Sequence, residues 1–114
     1  MHPINRSAIV VVPKQPVLDW LHSVDPTSSD LTLDDLSDEP TIYLLPECED
    51  EEGLRTCLEK VFAEIFEEEI DGWHRNRTVW PANRTFDTFC KWFDCVFHSM
   101  VVDLCDKPPS HERL

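Results

Sequence analysis

Ala8, Ile9, Val10, Val11 and Val12 form an unbroken apolar, mostly β-branched run between Ser7 and Pro13, the pattern of a buried strand. Pro16 suits the first position of a helix, where its missing N–H would have had no partner. Val17, Trp20, Leu21 and Val24 follow at i, i+3, i+4 and i+7, and predict one apolar helical face that Asp25-Pro26 terminates. A polar crossing occupies residues 28–39, with Thr32 and Asp35 spaced to cap one short helical turn through Leu36. Between Pro40 and Pro46, Thr41-Ile42-Tyr43-Leu44-Leu45 reads as a second strand.

The most regular pattern comes next. Leu54, Cys57, Leu58, Val61, Phe62, Ile65 and Phe66 share one helical face and predict an amphipathic helix over about 50–70. Acids at positions 49–52 complement its positive N-terminal end, and Gly72 stands where a C-terminal cap is expected. Farther on, Phe86, Phe89, Cys90, Phe93 and Phe97 lie on one helical face, and no Gly or Pro interrupts residues 83–107. One long helix to Leu104 fits that pattern. The β-rich composition of 96–104 fits a strand instead, with Val96, His98, Met100, Val102 and Leu104 on one face. A helix over 85–94 capped by Thr85, then a strand over 96–104, is the preferred reading.

The element order is then β-α-β-α-α-β: a mixed α/β (α+β) domain with a small sheet of about three strands and helices packed on it. Each strand is apolar on both faces, the pattern of a sheet covered on both sides. Three strands are few to be covered twice by their own helices, so a homodimer hiding the spare face or edge is expected. At 114 residues the chain is one domain, 1–114, with flexible ends at 1–6 and 107–114.

Three stretches carry a likeness: residues 8–21 (AIVVVPKQPVLDWL), residues 40–47 (PTIYLLPE), and Trp92-Phe93 ahead of residues 97–104 (FHSMVVDL). Together they resemble a group of short bacterial proteins with no assigned activity. The resemblance spans most of the chain and implies a bacterial origin, but none of its motifs is a chemical signature.

Charge narrows the partners. The net charge is −13, and its distribution is uneven. Residues 25–71 hold 17 acids against only Arg55 and Lys60, so this block carries −15 and the flanks one positive charge each. Affinity for nucleic acid comes largely from Lys and Arg on phosphates, so a nucleic-acid partner is excluded, as is an anionic membrane surface. The first apolar run is too short for a secretory or membrane-spanning segment. Five cysteines, an odd number, suit a reducing compartment, so a cytoplasmic location is expected.

Candidate chemistry is sparse. Cys90, Cys95, His98 and Cys105 supply four possible ligands within 16 residues, but without the close pairs on turns that zinc sites use, so no metal is expected. No cofactor fingerprint is present. His74 or His98 beside a thiol or carboxylate would make a small enzyme or ligand-binding cleft, the rival to a binding module. Glu67, Glu68, Glu69 and Asp71 sit where the helix dipole disfavours acids, by ~0.3–1 kcal/mol each. Trp73, His74, Arg75 and Trp80 follow directly, and Trp and Arg are enriched at interface hot spots. These eight residues are the expected docking surface of a non-enzymatic adaptor or immunity-type inhibitor for a protein with a basic surface.

Overall fold

A computed structural model describes residues 2–111. Strands β1 (His2–Pro3) and β2 (Arg6–Pro13) lead into helix α1 (Gln15–Val24), and α2 (Leu33–Ser37) precedes β3 (Thr41–Pro46). The long helix α3 (Glu51–Trp73) is followed by α4 (Phe86–Trp92), β4 (Phe93–His98) and β5 (Val102–Asp103). Short 3-10 turns at Pro26–Ser28 and Arg77–Val79 complete the order. The fold is mixed α+β. Its sheet has the order β3-β2-β4, all antiparallel, and β1 pairs with β5 in a separate two-stranded ribbon.

Local chemistry accounts for the helix ends. Thr32 Oγ1 accepts from the Asp35 N–H while the Asp35 carboxylate accepts from the Thr32 N–H, a reciprocal box that fixes the start of α2. Asp50 accepts from the Gly53 N–H at 2.8 Å and starts α3, and Thr85 does the same for α4 through Thr88. Gly72 is not the C-terminal cap. The helix runs through it to Trp73, and His74 closes it in extended geometry, its N–H donating to the Ile70 carbonyl. Nothing at Gly72 demands a left-handed backbone.

The strand expected over 96–104 starts earlier, at Phe93, and breaks after His98 before resuming as β5. The N-terminal residues, expected as a flexible end, instead build the ribbon: His2 and Pro3 pair with Asp103 and Val102, and the Ile4 N–H donates to the Val101 carbonyl. Residues 107–111 carry no regular structure; Met1 and 112–114 lie outside the described residues.

One alternation organises the sheet. The strand residues of the helix-covered cluster are odd-numbered: Ile9 and Val11 on β2, Tyr43 and Leu45 on β3, Phe93, Cys95 and Phe97 on β4; on the even side only the small Ala8 of the central strand is buried. They meet Val17, Leu18 and Leu21 of α1, and Leu58, Ile65, Phe66 and Ile70 of α3. Phe89 is the hub of an aromatic cluster, its ring 5.3–6.3 Å from those of Phe62, Phe66, Phe86 and Phe93, and Phe66 extends the cluster to Trp92 at 5.6 Å. The helices therefore cover one face. The even-numbered face is not covered on both sides as the apolar pattern suggested, and Ile42, Leu44 and Val96 are 62%, 53% and 49% exposed on it. Among the described residues the four helices supply one layer, and one layer hides one face.

Candidate protein-interaction surface

On the second half of α3, Glu64, Glu67, Glu68 and Asp71 follow the i, i+3, i+4, i+7 spacing that sets side chains on one stripe. Leu58, Ile65, Phe66 and Ile70 on the other side hold the helix to the core, so this acidic stripe faces outward beside β3. β3 is the end strand of its sheet, so alternate backbone N–H and C=O groups along it lie outside the β2–β3 ladder. Between that edge and α3 runs an open groove of about 490 Å³. Its apolar floor includes Val61 and Ile65, and Glu64 and Glu68 stand on its helix side. Two further clefts, of about 250 and 230 Å³, flank the groove, and Glu68 lines all three.

The eight expected docking residues separate into distinct roles. Glu69 is buried. The Tyr43 hydroxyl donates to its Oε2 at 2.6 Å, binding β3 to α3. Burial pushes the Glu69 carboxyl above its ordinary value, with the hydroxyls of Tyr43 and Thr41 pulling it back and the Glu68 charge adding to the rise. The same burial, with Glu69 alongside, pushes the Tyr43 phenol up. Glu67 meets Arg84 at 3.5 Å; Glu68 and Asp71 are exposed. Among the described residues, neither Glu64, Glu68 nor Asp71 makes an ion pair.

The tryptophans belong to the fold. Trp80 is buried, and its indole N–H donates to the His74 carbonyl at 2.7 Å. Trp20 on α1 donates likewise to the Val79 carbonyl at 2.9 Å, so two indoles pin the 74–80 loop. Arg77 and Arg84 lie 4.9 and 5.9 Å from the Trp80 ring, and Arg84 also donates to the Pro81 carbonyl. Trp73 is half-buried against the core, and the His74 ring accepts from the Asn76 N–H and sits edge-on to Trp20. Arg75 alone of the aromatic-basic segment 73–75 is fully on the surface. Glu64 is the groove residue that sequence reasoning did not single out; the i, i+4 spacing to Glu68 was its only signal.

The histidines and thiols that a catalytic cleft would need are dispersed. His98 is exposed on the even-numbered sheet face, while Cys95 lies on the other face, where burial pushes its thiol up to about 12. Cys90 and Cys105 are exposed on α4 and beyond β5. Cys48 is buried, its Sγ 3.5 Å from Cys57 Sγ, and burial raises it too, opposite to the activation of a nucleophile. Cys48, which belongs to none of the apolar stripes of the sequence, joins the core. Among the described residues, no three His, Cys, Asp or Glu side chains converge as metal ligands, and no helix is long and apolar enough to cross a membrane. Comparison with family models, with curated proteins and with solved structures finds no match to this chain.

Proposed function

We propose that this domain is a non-enzymatic binding module of the bacterial cytoplasm, an adaptor or inhibitor that docks an extended basic segment of another protein along the edge of β3. The observation that carries this reading is the groove between β3 and α3, which combines unpaired strand-edge groups, an apolar floor and unpaired carboxylates. Each suits a different part of such a segment. Backbone groups continue the ladder, alternate apolar side chains enter the floor, and Lys or Arg side chains reach Glu64 and Glu68. The −15 carried by residues 25–71 steers a cationic partner toward this side and speeds encounter more than it deepens affinity.

The test is a titration with a synthetic extended peptide that carries both Val and Arg at alternate, helix-facing positions, followed by backbone amide shifts. Residues 41–45 should move, and affinity should fall with salt over the range where the screening length drops below ~10 Å. Glu64→Gln with Glu68→Gln should weaken binding by about tenfold if each rim pair supplies roughly 0.5–1 kcal/mol, whereas Glu67→Gln, already engaged by Arg84, should change it little. Shifts confined to other surfaces, or an affinity indifferent to the double change, would refute the reading.

A further inference from the structure

The even-numbered face of the sheet is the largest unexplained surface of the molecule. Across its middle, Ile42, Val10 and Val96 stand side by side in register, and Leu44, Ala8 and His98 form the next row. The segment that follows β4 adds further exposed apolar side chains. Met100 and Leu104 are 72% and 75% exposed, and Val102 is also open to solvent. Ile42, Leu44 and Val96 on the sheet, with Met100, Val102 and Leu104 beyond it, are the exposed large apolar side chains of the described residues, and together they approach the ~600 Å² of the largest apolar patch on a typical monomer.

We infer that this face seats a second copy of the chain, two sheets packing face to face about a two-fold axis that passes beside Val10. Three arguments select a second copy. Charged groups are scarce on the face. Arg6 stands at one end, bonded only to Asn5, and Asp94 at the other lies 3.8 Å from Lys14, so the surface carries one charge of each sign and no cluster by which to choose a charged partner. A three-stranded sheet flanked by Ile42 on one edge and Val96 on the other is self-complementary, since the two-fold sets apolar rows against apolar rows. Repulsion between two chains of −13 is also least here. Sheets pack about 10 Å apart and helices a similar distance behind each sheet, so the two acidic α3 layers end about 30 Å apart, several screening lengths at physiological salt.

Sedimentation of the full chain between about 1 and 100 µM decides the matter, because an interface of this size and apolarity gives a dissociation constant in or below that range. The expected result is a species of twice the chain mass that dissociates on dilution. Val96→Lys, on the strand farthest from the peptide groove, should raise the dimer dissociation constant at least about a hundredfold while leaving the far-UV spectrum and peptide binding unchanged. A wild-type chain that stays monomeric throughout would overturn the proposal, whatever Val96→Lys does, and would leave the face to an unrelated protein. A dimer that persists undiminished in folded Val96→Lys would also overturn it, by moving the contact to another surface. Peptide binding is read on Glu64 and Glu68, so the failure of one proposal is not the failure of the other.

Discussion

Tyr43 and Glu69 are 26 residues apart, and the 2.6 Å hydrogen bond between them is a polar tie from the edge strand to the long helix. It holds one wall of the groove to the other. Glu69 binds its proton more tightly in the folded chain than in the unfolded one, because burial outweighs its two hydroxyl partners. The resulting contribution to stability is complete below the ordinary value of 4.5 and is lost as pH rises through the higher folded value. Glu69→Gln removes this titration and keeps an oxygen for Tyr43. Urea denaturation should therefore find the variant's stability, relative to the parent, improving from pH 4 to pH 7. A trend in the other direction would show that the hydroxyls dominate.

The neighbouring acids should answer differently. Glu67→Gln weakens the contact with Arg84, which is only part-buried, and should cost about 0.2–1 kcal/mol in chemical denaturation. Glu68→Gln removes an unpaired charge near the negative end of α3 and should stabilise the free protein by roughly 0.3–1 kcal/mol. Changing all three acids together would sum opposing effects, which is why single substitutions are the informative ones.

Thiol reactivity should follow exposure and ionisation. At pH 8 a maleimide or aromatic disulfide reagent should modify Cys90 and Cys105 first. Cys48 and Cys95 should lag, since burial raises both thiols. Mass spectrometry of partly labelled protein reads the order directly, and early modification of Cys95 would contradict the packing of β4 against the helices.

The two glycines of α3 should respond to alanine with opposite signs. A β-carbon at Gly72 meets nothing within 4 Å, so Gly72→Ala should add about 0.5–1 kcal/mol through the higher helix propensity. At Gly53 the same carbon falls 3.2 Å from Asp50 Oδ1, the oxygen that caps the helix, so the propensity gain is opposed by displacement of the cap. Asp50→Ala should cost about 0.5–2 kcal/mol and set the scale for that loss.

Much of this was legible in the chain because it depends on near neighbours. The Thr32–Asp35 box, the Asp25-Pro26 stop, the Thr85 cap and the apolar stripe of α3 all arise within a few residues of themselves. The roles of Glu69 and Trp80 were not. One depends on a hydroxyl brought in on β3, the other on the course of the 74–80 loop, and a run of Glu or a Trp beside Arg looks the same whether it faces water or core. The β-rich composition separated β4 from α4, with the boundary three residues late, but it did not reveal the break after His98, since residues 99–102 remain rich in strand formers. Nor did hydrophobicity say which side of β2 turns inward, since Ile9 and Val11 are no more apolar than Val10 and Val12.

That last ambiguity gives the buried Ser7 a purpose as a keel. Its hydroxyl accepts from the Cys48 N–H at 2.9 Å and lies 3.2 Å from the Ser99 carbonyl, so it links β2 to the chain beyond each of its two neighbours. A slip of one residue would exchange the two faces of β2 at little cost in apolar burial, since valines wait on either side. The same slip would move Ser7 out of its buried place and leave the Cys48 amide and the Ser99 carbonyl without it, which costs more than a mispaired valine does. In a strand that is greasy on both sides, the one small polar residue is what tells the chain which way up it lies.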